Sequence, residues 1–118
     1  MSHVEPRMSE PEMDADGYPT EATLAAVREW VISGFAACDA LLRFVQRAWN
    51  WPDLFVRLAY RKRPWRGGQL NRRWLVSTGG WSGNESLIGA LEDNTLFWLL
   101  CWEKSERGGH YEFRVPEP

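Results

Sequence analysis

Apolar residues recur along this chain with two different periods, and the change from one to the other divides it. Leu24, Val27, Trp30 and Val31 fall on one stripe of a 3.6-residue repeat, which predicts a helix. Thr20 stands where an N-cap hydroxyl is wanted, Glu21 puts a negative charge in the first turn, and Gly34 is the expected C-terminal stop. A second helix follows, with Leu41, Leu42, Val45, Ala48 and Trp49 on its apolar side and Arg43, Gln46 and Arg47 on or near its wet side. Trp51-Pro52 closes it, because the ring of a proline crowds the residue before it out of the α region.

From Leu54 the period becomes two. Leu54, Val56, Leu58 and Tyr60 alternate with Phe55, Arg57, Ala59 and Arg61, the pattern of a half-buried strand. Pro64, Gly67, Gly68 and Asn71 make a loop, and residues 73 to 78 return as a second strand of a hairpin. In Gly79-Gly80-Trp81-Ser82-Gly83-Asn84-Glu85, Ser82 and Glu85 have the spacing of a capping box, so a short helix is expected over about 84–92, broken by Asp93-Asn94. The run from Leu96 to Trp102 is apolar without alternation and predicts a central strand covered on both faces. After Gly108-Gly109, residues 110 to 115 alternate again as a last strand. The expectation is an α+β domain in the order ααββαββ, with an antiparallel sheet of about four strands and one short crossover helix.

Composition adjusts this picture at the N-terminus. Residues 1–17 combine Pro6, Pro11 and Gly17 with acids and few large apolar groups, so they are expected to form a disordered acidic tail, leaving 18–118 as a single domain. The 118 residues suit one core, with 44% apolar and 25% charged residues. Eight tryptophans are far more than such a chain usually carries. Most are expected to fill a small core, since indole buries more area than any other side chain, with two or three left as exposed anchors for a partner.

The net charge of −2 conceals a split. Before Arg28 stand six acids against Arg7, whereas from Arg57 to Arg73 there are seven cations, Arg57, Arg61, Lys62, Arg63, Arg66, Arg72 and Arg73, and no acid. Either an anionic partner or a tail folded back on a basic face would account for it. Cys38 and Cys101 lie far apart in sequence and read as buried free thiols, no signal-peptide pattern precedes the domain, and no apolar run reaches the length of a membrane span. A cytoplasmic chain without membrane contact is expected.

Three groups of residues could carry function. The glycine-rich loop before a helix invites an anion onto free N–H groups, but no Lys-Ser/Thr follows the glycines and Glu85 puts a negative charge where a phosphate would sit. Trp81, Ser82, Asn84 and Glu85 are therefore candidates for a binding loop, with a structural turn as the alternative, and Trp81 is expected to be partly exposed. His110, with Ser82, Glu85 and Glu112, is the one set from which acid–base or nucleophilic chemistry could be built, but no local nucleophile signature surrounds a serine. His3, Cys38, Cys101 and His110 lack the short paired spacings of zinc sites, so neither metal nor cofactor is expected. Finally, Arg61, Arg63 and Arg66 interleave with Tyr60, Trp65 and Trp74, a mixture that suits single-stranded nucleic acid or an acidic protein.

The segments Thr78-Gly79-Gly80-Trp81-Ser82-Gly83-Asn84-Glu85, Phe97-Trp98 and Gly108-Gly109-His110-Tyr111-Glu112-Phe113, with Gly17-Tyr18-Pro19-Thr20-Glu21 before them, resemble short uncharacterised proteins encoded by bacteriophages and prophages. The resemblance spans roughly 17–115, and the arginine-rich stretch at 61–73 departs from it. It brings no activity and no catalytic residue. What it implies is a setting, an accessory protein in a bacterial host that binds and modulates a host macromolecule, a counter-defence inhibitor included. The function expected is non-catalytic binding, to a host protein or complex first, with nucleic acid or a nucleotide as the alternative ligand.

Overall fold

The computed structural model describes residues 8–61 and 70–116. Thr20 caps α1 (Glu21–Arg28) as expected, its side chain accepting from the Thr23 N–H at 3.3 Å. The helix stops at Arg28, however, six residues before Gly34. Trp30 turns into the core, and Asn94 binds the carbonyls of Val27 and Trp30 at 3.0 and 3.1 Å, which satisfies the helix end without a glycine. Gly34 instead precedes α2 (Phe35–Ala48), whose Cys38, Leu41, Leu42, Phe44, Val45 and Ala48 are all buried.

Past a 3₁₀ turn at Pro52–Leu54, β1 (Phe55–Arg61) and β2 (Leu70–Ser77) pair antiparallel, followed by α3 (Ser82–Asp93), α4 (Thr95–Cys101), β3 (Trp102–Glu106) and β4 (His110–Pro116). The sheet is wholly antiparallel in the order β1-β2-β4-β3. The class is α+β, with four α-helices among the described residues where three were expected. The central strand expected over Leu96–Trp102 is a helix instead. Asn94 caps it by accepting from the Phe97 N–H, and the strand begins only at Trp102, on the edge of the sheet. Leu96, Leu99 and Leu100 lie on the exposed side of α4 while Phe97 and Cys101 are buried. A seven-residue helix that is apolar all round shows no period to distinguish it from a buried strand.

The core lies between the helices and one face of the sheet. Phe55, Trp74, Val76, Phe113 and Val115 supply the strand side, and Val27, Leu41, Phe44, Val45, Leu87, Leu91 and Phe97 the helix side. In β1 the buried face is that of Phe55 and Arg57, so Val56 and Leu58, on the face more apolar by count, point outward. Phe55 packs edge-on to Trp49 and Trp74, with ring centroids 5.0 and 5.5 Å apart, and these contacts fix the register that aims Val56 away.

Residues 8–17 are set against the domain rather than outside it. Met13 and Pro19 form an isolated bridge, the Glu12 backbone exchanges hydrogen bonds with the Thr23 side chain at 2.6 and 2.7 Å, and Met8 and Met13 pack on the core. Two contacts between backbone and a buried threonine hold a segment whose composition offers little apolar surface of its own. Among the described residues no helix is long and apolar enough to cross a membrane.

Candidate binding surface

The glycine-rich loop is built around Asn84. Its side chain is fully buried and makes three hydrogen bonds, accepting from the Asn50 N–H at 3.0 Å and donating to the carbonyls of Asn50 and Thr78 at 3.1 and 3.2 Å. One amide thereby locks the end of the α2 segment to the end of β2. Asn84, expected in the binding loop, is a fastener beneath it. The expected capping box does not form. Trp81 is the N-cap of α3 and makes no side-chain cap bond, Ser82 is already helical, and its hydroxyl lies 3.5 Å from the Tyr18 hydroxyl. The helix begins at Ser82, two residues before the expected start, and Asn84 points inward from its first turn.

Over this fastener sits a ledge of aromatic rings. Trp51 is 48% exposed and holds a left-handed backbone, φ 64°, the sole non-glycine residue with positive φ among those described. Its ring lies on Gly79, where a Cβ would come within 2.6 Å of Trp51 Cζ3. Two residues on, Trp81 is half-buried and packs against Tyr18, centroids 4.7 Å apart, with its ring over Gly83, where a Cβ would be only 2.2 Å away. Gly79 and Gly80 both have positive φ and are exposed. The expected partial exposure of Trp81 is what the structure has. Trp51 was missed as an exposed ring, since its sequence context marked only a helix end. Trp102, 43% exposed on β3, was missed with the strand that carries it.

His110 is not joined to Ser82 or Glu85. Glu85 is exposed in the first turn of α3, and His110 Nδ1 lies 2.7 Å from the Ser77 hydroxyl, directly opposite across β2 and β4. Glu106 stands opposite His110 on β3. These three line an open cleft of about 290 Å³ on the uncovered face of the sheet, together with Leu75, Lys104 and Glu112. Serine and imidazole are within hydrogen-bond distance, and Ser77 is the last residue of β2, just before the turn at Gly79-Gly80. The contact follows from strand register.

The basic hairpin is partly neutralised. Arg57 makes two bonds to the Asp39 carboxylate at 3.1 and 3.2 Å, with its guanidinium 5.6 Å from the Trp74 ring centroid, and Trp74 Nε1 and Arg43 share the same carboxylate. Burial by itself would raise the Asp39 carboxyl, but the hydrogen bonds and charges of Arg57 and Arg43 outweigh it and hold the group below its ordinary range. Arg73 forms a fork to Glu112 at 2.9 Å on both arms, and that hydrogen bonding lowers the Glu112 carboxyl as well. Lys62, Arg63, Trp65 and Arg66, with the side chain of Arg61, lie outside the described residues.

Cys38 and Cys101 are buried free thiols, as expected. They meet in the core. The interaction with Cys38, with burial adding to it, pushes the Cys101 thiol far up, while the same interaction draws Cys38 down against the opposing effects of burial and the Asp39 charge. Among the described residues no three or more His, Cys, Asp or Glu side chains are placed to hold a metal ion. Comparisons with protein-family models, with curated proteins and with solved structures gave no match.

Proposed function

We propose that this chain is a non-catalytic binding protein, of the phage accessory kind its motifs resemble, which docks on a protein of a bacterial host through the ledge formed by Trp51, Gly79, Gly80, Trp81 and Tyr18. The observation that carries the reading is Trp51. A bulky residue in the left-handed region costs about 1–3 kcal/mol, and such strain concentrates at functional sites. Here it holds a half-exposed indole on a surface fastened from below by Asn84. A rigid aromatic over a rigid backbone loses little entropy on docking, which is the physics of an interface hot spot.

A protein partner is favoured over nucleic acid because two of the cations in the basic stretch, Arg57 and Arg73, are committed to Asp39 and Glu112. The biological role that fits is stoichiometric inhibition or modulation in the host cytoplasm, a defence complex being one such target. The test is capture from host lysate by the tagged chain, with and without nuclease, beside Trp51→Gly and Trp81→Ala. Trp51→Gly removes the ring while permitting the same φ. A nuclease-resistant band lost in both variants supports the reading. Equal capture by all three proteins overturns the ledge, and a band abolished by nuclease transfers the site to the basic hairpin.

A further inference from the structure

Strand β3 is an open edge of the sheet, and all five of its residues are exposed. Natural edges are usually blocked by lysines, bulges or covering segments, because unpaired backbone groups recruit another strand. β3 has a bulge between Trp102 and Lys104, after which Lys104, Ser105 and Glu106 run in regular register with β4. The sequence of this stretch, Glu103-Lys104-Ser105-Glu106-Arg107, is nearly a charge mirror of itself. Antiparallel pairing with an identical strand about a two-fold axis at Ser105 sets Lys104 opposite Glu106, twice by symmetry. A slip of one residue either way sets Lys104 or Glu106 opposite Ser105 and loses the pair. A slip that centres on Lys104 or Glu106 opposes that residue to itself. Opposite charges directly across a strand pair stabilise it, and like charges destabilise it.

Lys104 and Glu106 both line the open-face cleft, so their side chains project from the same face, as residues meeting across the new strand pair must. On the helix side, Trp102 is exposed and stacks on Trp98 with the rings 17° apart at 6.1 Å, a flat apolar shelf beside the same edge. At the other edge, the Gln46 amide bonds the Phe55 carbonyl at the start of β1. From the charge mirror, the single compatible register and the adjoining shelf we infer that β3 pairs with β3 of a second copy of this chain, giving a two-fold dimer with one continuous eight-stranded sheet.

This inference is independent of the ledge, which lies on other elements. The test is sedimentation of the full chain over a range of concentrations, with Lys104→Glu, Glu106→Lys and the double swap. Each single swap opposes like charges twice and is expected to weaken dimerisation about tenfold or more. The double swap restores the mirror and should return the dimer, while circular dichroism stays unchanged in all three. A covalent dimer of Ser105→Cys on mild oxidation would place the axis directly, since Ser105 faces its own copy. A wild-type monomer at every concentration overturns the proposal. So does a dimer indifferent to the swaps, or an open-ended polymer, which would instead join β3 to β1.

Discussion

The ledge and the cleft are both exposed, both lined by residues the sequence marks as chemically suggestive, and built in opposite ways. Beneath the ledge, Asn84 ties three backbone groups from two distant segments, and the surface rings rest on glycines that leave room for nothing else. Around the cleft, Ser77, His110 and Glu106 are aligned by strand register and supported from one side only. A functional surface is precise when its neighbours have nowhere to go. By that measure the ledge is the better supported of the two as the proposed docking surface, and strand register accounts for the cleft.

The largest expected effect is at the fastener. Asn84→Ala leaves the buried Thr78 carbonyl and the part-buried N–H and carbonyl of Asn50 without their partner, which should cost about 2–3 kcal/mol in urea denaturation. A loss under about 1 kcal/mol would mean that the ledge is no better supported than the cleft. Next comes the contrast between the arginine forks on the two faces of the sheet. Asp39→Asn, on the helix side, should cost about 2 kcal/mol at neutral pH, because Arg57 and Trp74 keep their positions beside a weaker acceptor. Glu112→Gln, on the open face beside a partly exposed Arg73, should cost distinctly less. Both carboxyls are depressed in the fold, so their stabilisation is present above the unfolded carboxylate pKa and lost as pH falls through the folded one. Stability should therefore decline below about pH 4 in the wild type and less steeply in Asp39→Asn, read from melting midpoints across pH.

Smaller still, Gly83→Ala should drive the Trp81 ring off Tyr18, lowering stability by about 1–2 kcal/mol, shifting tryptophan emission and weakening partner capture without deleting an aromatic ring. The smallest effect is in the cleft. His110→Ala should leave the melting midpoint within about 2 °C of wild type and capture unchanged. Loss of capture in that variant would reverse the ranking of the two surfaces.

Elements that announce themselves by a local device were legible in the sequence. Thr20 capped where its hydroxyl said it would, the α2 stripe buried the residues its period selected, β4 followed its alternation, and β1 and β2 formed as strands where expected, β1 with its less apolar face inward. The errors lie where a distant group decides. The end of α1 depends on Asn94, remote in sequence, and the start of α3 depends on Asn84 reaching back to Asn50. α4 had a signal, the asparagine before Thr95, but its apolar circumference masked the helical period. In the site, Trp81 was legible from its flanking glycines. The exposure of Trp51 was not, because nothing local reveals that a helix end will turn left-handed over the loop between β2 and α3. The pairing of Arg57 with Asp39 and of Arg73 with Glu112 was equally hidden, since charge counted along a chain takes no account of acids contributed by other elements.

The sheet order has a consequence for how the domain assembles in time. β4, made after every other described strand, lies inside the sheet between β2 and β3, and Ser77 meets His110 across 33 residues. The β1–β2 and β3–β4 pairs can each zip locally, but the seam between them closes only after α3 and α4 have been synthesised and folded aside. Closing so long a loop is the slow kind of step in folding. A nascent chain would therefore hold β2 with an unpaired inner edge until β4 arrives, and that interval is when this protein is most exposed to aggregation and most dependent on chaperones.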